Sequence, residues 1–457
     1  REWPTCVGHC LTATSSVTCH NPTNFRKPKP KPKFIMKTNQ GCLDYQMTRR
    51  RMLGLSSATL LGMPLAQMMA RAGETKTATA EHVILFWNGG GMSHIDTWDP
   101  KPGRPVAGEF DPIDTSADGI QISSIFPTVA KQMKHAALIR SIAGTNGAHG
   151  RASYQLQTSY NQSANLIHPG IGSIVVHEKE KIGDLPDFIT ISGNARRAGY
   201  LGQRCEAYYV GRPGAKDPYL AFPAGITQVR GNKRLDILAK MNLRNTRQLD
   251  PTQVKSVDTA TREAVNLMRS PALKSFELDK EDPKTIARYG DTDFGRGALL
   301  AKRLVETGVR FVQVNRGGFD THNNNFPAMQ AHGDVMDPAL GSLIEDLAAS
   351  GKLEKTMVIM LSEFGRTPRI NNNAGRDHHA SCFSCFMAGG GIKGGQVIGK
   401  SDEDAMQPAD RPVNPNDLHA TVCHALGIDH TKEVETPLGR PMRLVSEGAK
   451  PVMELFG

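Results

Sequence analysis

No stretch beyond residue 72 is apolar enough to serve as a transmembrane helix. That part of the chain also lacks an excess of either charge. Residues 1–72 hold eleven Lys and Arg against two acidic residues, a net of +9, while the whole chain carries +10. The remainder is therefore close to neutral, and no basic surface argues for nucleic-acid binding. Cysteine is scarce there too. Cys6, Cys10, Cys19 and Cys42 fall near the start, leaving Cys205, Cys382, Cys385 and Cys423. Cys382 and Cys385 form a Cys-x-x-Cys, but no second pair completes a structural zinc site, so they read as small residues packed on a strand. There is no internal repeat. The glycine runs Gly89–Gly91 and Gly389–Gly391 match neither a dinucleotide fingerprint nor a P-loop.

The N-terminal part has its own character. Thr48-Arg49-Arg50-Arg51-Met52-Leu53 is a twin-arginine signature, followed by an apolar, small-residue run to about Ala70. Gly54, Ser56, Ser57, Gly62 and Pro64 interrupt that run, and Ala70-Arg71-Ala72 supplies an Ala-x-Ala cleavage site. Residues 47–72 therefore read as an export signal, with the twin-arginine machinery as partner and a periplasmic or extracellular destination. Residues 1–46, with the Pro28–Lys33 tract, read as a low-complexity basic extension without a core. The chain opens on Arg1, so Met36 or Met47 is the expected start.

From about Gly73 the pattern is that of one large α/β domain. Apolar runs at His82–Trp87, Ala136–Ile142, Asp187–Ser192, Phe311–Val314, Met357–Leu361 and Cys385–Ala388 predict strands. Phe294–Thr307 and Ala328–Ser350 carry apolar residues at helical spacing, as at Leu340, Leu343, Ile344 and Leu347. Strands alternating with amphipathic helices predict a mostly parallel sheet flanked by helices on both faces. Ligands gather at the carboxyl ends of such strands. Residues from 193 to about 231 lack periodicity and read as an insertion or cap. Lys233–Leu249 and Thr252–Met268 predict charged helices.

Carboxylates and imidazoles cluster after the later strands. Asp320 and His322 are two apart in an extended segment, so both can reach one ion. Glu363 ends the next strand and reads as a metal ligand or general base. Asp377, His378 and His379 follow a Gly/Asn-rich loop. Three adjacent residues do not all face one ion, so His378 is taken as the ligand and His379 as a packing or orienting residue. Asp377 would then fix its tautomer. His419 reads equally well as a cap, a core residue or a site residue.

In the N-terminal half, His94, Asp96 and Asp99 follow the first strand, and His149, Arg151 and Ser153 follow the second. His94, Asp96 and Arg151 are candidate substrate contacts, Arg151 as a fork for an anionic oxygen. For each of these residues turn chemistry and surface polarity compete with a functional role. His149, Arg151, Glu363 and Arg366 are the candidate catalytic groups, the two arginines neutralising charge on a transferring group.

These residues sit in motifs: Gly90–Pro102, Phe319–His322, Ser362–Pro368, Asn373–His378, Ala388–Gly395 and Asp417–Thr421. Through them the chain resembles exported bacterial proteins grouped as domain of unknown function 1501. That group is similar to the alkaline-phosphatase and sulfatase superfamily, whose members hydrolyse phosphate or sulfate esters at one or two metals. The resemblance implies an alkaline-phosphatase-like fold over residues 73–457. It also implies a divalent metal (zinc, manganese, iron or calcium) on Asp320, His322, His378 and Glu363.

The chain departs from the superfamily at several positions. Glu363-Phe364 stands for an Asp-His pair, and Asn88 for a first-strand Asp. Only Thr145 and Ser153 are candidates for the nucleophile, and no Cys occupies a formylglycine position. The expected function is hydrolysis of a sulfate or phosphate ester of a small molecule or polysaccharide. The alternative is a non-catalytic relative that binds an anionic glycan or protein partner at the cell surface. A serine hydrolase using Ser153 or Ser362 is the third reading, without a nucleophile-elbow sequence to support it.

Overall fold

The computed structural model describes residues 78–457 apart from 216–219, 221–224, 246–260 and 262. The export signal, the basic extension and part of the helix expected at 252–268 lie outside the described residues. Eight strands build the central sheet: β1 (His82–Asn88), β2 (Ala136–Ile142), β3 (Phe188–Ile191), β4 (Tyr208–Val210), β5 (Phe311–Arg316), β6 (Thr356–Leu361), β7 (Phe383–Ala388) and β8 (Gln396–Ile398). Their order is β8-β2-β7-β6-β1-β5-β3-β4. Neighbours run parallel except for β7, which is antiparallel to β2 and β6. The fold is α/β with a mostly parallel sheet.

Alternation along the strands feeds two cores. Ile84, Phe86, Val312, Val314, Val358 and Met360 point to one face, and Val83, Leu85, Trp87, Met357 and Ile359 to the other. Both faces are covered, which is why these strands read as nearly continuous apolar runs. Five helices matter here: α1 (His149–Thr158), α2 (Ile171–Glu178), α3 (Asp293–Glu306), α4 (Asn325–Ala349) and α5 (Pro415–Ala425). Leu299 and Leu300 of α3 and Leu340 and Leu343 of α4 fill the first core. Leu156 of α1, Ile174 of α2 and Leu418 and Val422 of α5 fill the second.

Helix starts follow side-chain chemistry. Thr292 accepts from the Gly295 N–H ahead of α3, and Asn414 forms a capping box with Asp417 ahead of α5. By contrast, Ala148 ahead of α1 provides no side-chain cap. Asp337, within α4, accepts from the N–H groups of Thr128 and Val129 at 2.8 Å and so caps the short helix Pro127–Ala130.

The non-periodic region after Gly193 contributes short 3-10 turns and β4, the sheet's edge strand, parallel to β3. The helix that follows is Gln228–Asn245. Cys382 and Cys385 are buried with Cys205 and Cys423 as free thiols. Burial pushes the Cys382 thiol up to about 12, so it stays a neutral, packed thiol.

The sheet register brings the site loops together. Asn88 pairs with Arg316 and Trp87 with Leu361, so β1, β5 and β6 end at one level. The loops leaving them are packed against one another. Gly90 has a φ of 119°, and a Cβ there would lie 2.6 Å from the Asp320 nitrogen. At Gly375 a Cβ would meet the His322 carbonyl at 1.9 Å. Only glycine fits at either point.

Candidate metal centre

Asp320 leaves the Gly317-Gly318 turn after β5, and its Oδ1 is the meeting point of the rim. His322 Nε2 and His378 Nε2 both lie 3.1 Å from it, and His149 Nε2 lies 3.3 Å away. His322 Nε2 and His378 Nε2 are 3.0 Å apart. The ligand atoms of His149, Asp320 and His378 all fall within 4.8 Å of one another, which marks them as a group able to hold a metal ion.

The other ring nitrogen of each imidazole is already committed. His149 Nδ1 donates to Glu363 Oε1 at 2.7 Å, His322 Nδ1 to Asp377 Oδ1 at 2.7 Å, and His378 Nδ1 to the Gly147 carbonyl at 2.8 Å. A carbonyl has no proton to give, and an ionised carboxylate has none either. Each neutral ring therefore carries its proton on Nδ1 and turns a bare Nε2 lone pair inward. Three such lone pairs, each about 3 Å from the same carboxylate oxygen, are repelled by it unless a cation or extra protons lie between them. Donors at ~2.0–2.1 Å from a tetrahedral ion stand roughly 3.3 Å from each other. The residues present thus fit a divalent metal, and their carboxylate and carbonyl braces match the support that metal-ligating histidines usually have.

Asp320 is kept charged. Burial works against its ionisation, but the hydrogen bond and positive charge of Arg366 outweigh that and hold the carboxyl well below the usual range. Arg366 is fully buried. Its Nε donates to the Gly91 carbonyl, Nη1 to the Arg376 carbonyl, and Nη2 to the Gly90 carbonyl and to Asp320 Oδ1. It positions a ligand and has no fork left for substrate, contrary to the expectation from sequence. The His322 bond, followed by one from Asn371, likewise lowers the Asp377 pKa against the effect of burial.

Several other expected roles are corrected by the geometry. Glu363 does not face the meeting point. Its Oε1 is taken by His149 and the Gly90 N–H, and the residue is 3% exposed. His149, expected as a catalytic group, instead supplies one of the converging nitrogens. Asp377 braces His322 rather than His378. His379 turns away, donating from Nε2 to the Met406 carbonyl at 2.8 Å.

His94 and Asp96 are buried and cannot touch a substrate. His94 Nε2 bonds the Ala405 carbonyl at 3.0 Å, and the Asp96 oxygens bind Arg376 and Asn325. Asp99 pairs with Lys101 and Arg140. His419 is a core residue bonded to the Leu156 carbonyl.

Arg151 is exposed at the edge of an open groove of about 530 Å³ lined also by Thr145, Asn146 and Asn161. The Ser362 hydroxyl donates to the Asn88 carbonyl and accepts from the Gly91 and Met92 N–H groups, which locks the loop after β1 and leaves no nucleophile there. Asn88 points its amide at the Met92 sulfur, 3.5 Å away. Among the described residues, no Thr145 or Ser153 hydroxyl is hydrogen-bonded to the converging group.

Fold and site together define an α/β protein with three imidazoles and a carboxylate converging at the carboxyl rim of its sheet. The chain belongs to the family described as "Protein of unknown function (DUF1501)", which matches residues 80–456. No curated protein matches its sequence. Similar solved structures include that of Ps i-CgsB, at 13% identity and a TM-score of 0.38, covering 77% of this chain and 72% of the other. The PsFucS1 sulfatase from Pseudoalteromonas sp. is 13% identical with a TM-score of 0.36, covering 83% and 72%. The phosphonate monoester hydrolase SpPMH from Silicibacter pomeroyi is 10% identical with a TM-score of 0.32, covering 82% and 77%.

Proposed function

We propose that this chain is an exported, metal-dependent hydrolase of sulfate or phosphate esters, acting on an anionic small molecule or polysaccharide. The observation that carries this reading is the convergence of three bare imidazole nitrogens on Asp320 Oδ1, each ring braced from behind. His149, Asp320, His322 and His378 would hold the cation. Imidazole-rich donors with one carboxylate suit zinc, iron or manganese, and they disfavour calcium, which takes oxygen ligands. When bound, such a cation supplies Lewis-acid polarisation of an ester oxygen and activation of water.

The chain's own groups do the positioning. Glu363, Asp377 and the Gly147 carbonyl fix the three rings, and Arg366 fixes Asp320. The uncapped start of α1 leaves first-turn N–H groups open beside His149, a favourable place for an anion. The twin-arginine sequence at Thr48–Leu53 supports a periplasmic or extracellular location.

A second reading, a non-catalytic relative that binds an anionic glycan or a partner at the cell surface, is favoured by the commitment of Ser362 and by the missing hydroxyl at the centre. Elemental analysis of the purified protein and a panel of aryl sulfates and aryl phosphates separate the two. The hydrolase reading expects about one metal equivalent, and turnover that disappears with the metal in Asp320→Ala. Metal-free protein that still retains glycan would sink it.

A further inference from the structure

We propose that Asn371 is a positioning residue of this centre, an inference that rests on the cation-holding group of the hydrolase reading. Asn371 opens the loop that presents Asp377 and His378. Its Nδ2 donates to the His322 carbonyl at 2.9 Å and to Asp377 Oδ1 at 3.2 Å. Its Oδ1 accepts from the Asn373 and Gly375 N–H groups at 2.9 and 3.0 Å. An amide has two protons to give and two lone pairs to receive with, so its whole capacity is in use. Turned over, its oxygen would face a carbonyl and a carboxylate, so its orientation is fixed.

What singles it out is the contrast among the three braces. The Gly147 carbonyl belongs to the backbone, and Glu363 is 3% exposed. The Asp377 side chain is 53% exposed. An exposed carboxylate paired with one ring is a weak support, because water competes for it and its own torsions are free. Apart from the His322 ring, the Asn371 amide is the side chain that bonds the Asp377 carboxylate among the described residues. Both bonds end on Oδ1, so the amide holds that oxygen where His322 Nδ1 donates.

The same amide joins two stretches of chain. Through the His322 carbonyl it ties the loop after β5, which carries Asp320 and His322, to the loop that carries His378. Backbone bonds run alongside it, from the Arg376 N–H to the Thr321 carbonyl and from the Asn325 N–H to the Ala374 carbonyl. These do not use the Asn371 side chain. Cutting that side chain back therefore frees the Asp377 carboxylate while the loops stay stitched, and the His322 ring loses the support that a ligating imidazole depends on.

The test is zinc affinity, read by competition with a chromophoric chelator. Asn371→Ala is expected to weaken zinc roughly tenfold or more. Asn372→Ala, at the exposed neighbour, is expected to bind as the wild type does. In an Asp377→Ala background, removing the Asn371 amide is expected to change affinity by no more than about twofold. A change that merely deforms the loop would repeat its full loss there. Wild-type affinity in Asn371→Ala overturns the proposal, as does an equal loss with Asp377 present or absent, or an equal loss at Asn372. Should Asn371→Ala not fold, Asn371→Ser takes its place under the same criteria, since its hydroxyl still accepts from the turn N–H groups but is too short to reach Asp377. A wild-type protein that takes up no zinc would overturn the cation centre itself, and this proposal with it.

Discussion

A carboxylate that braces an imidazole works best when it cannot swing away, and Glu363 is held by the Gly90 N–H and His149. Replacing it by Gln removes the charge that favours the Nδ1–H tautomer of His149. Glu363→Gln is expected to weaken metal binding ~10–100-fold, the usual effect of losing such a support, as read by competition with a chelator. Unchanged affinity would mean that His149 needs no brace. At this scale the sequence was partly readable. Asp320, His322 and His378 stand out because carboxylates and imidazoles crowd the ends of apolar strands. The braces did not stand out, because His149 and Glu363 are 214 residues apart and His322 and Asp377 are 55 apart. His94 and Asp96 misled for the opposite reason: polar residues in a glycine-rich loop look like a site, yet here they are tied inside it.

The elements that carry the site are held to one another by buried charge. Arg376 and Asp96 are both fully buried, and Arg376 also donates to the carbonyls of Thr367, Pro368 and Val106. One side chain therefore joins the loop after β1 to the loop that presents His378. Removing one partner leaves an uncompensated buried charge. Arg376→Met is expected to cost about 3–5 kcal/mol, measured by urea unfolding, and to release metal as the two loops part. A cost below about 1 kcal/mol would show that the pair is not what holds them. Strands were legible as apolar runs; β2 was expected at its observed bounds, Ala136–Ile142. The edge strand β4 was not, because three half-exposed residues in a region without periodicity carry no alternation to read.

Acid should weaken the whole molecule through imidazoles that are not part of the converging group. Burial pulls His94 and His419 down from 6.5 to about 4, and both rings are enclosed. Their folded pKa lies below the unfolded value, so the unfolded chain takes up protons first as pH falls. Stability is full above pH 6.5, declines towards pH 4, and levels once the folded form also protonates. Each ring accounts for on the order of 3 kcal/mol over that window. Urea midpoints at pH 7, 5.5 and 4.5 check this, and a flat profile would contradict it.

The four side chains proposed to hold the cation stand at positions 149, 320, 322 and 378. During translation the last imidazole emerges only when the strand following it, β7, has still to be made. A nascent chain therefore has no complete cage for a cation until most of its length has left the ribosome. On the proposed reading, a product truncated before His378 would lack one of the four donors.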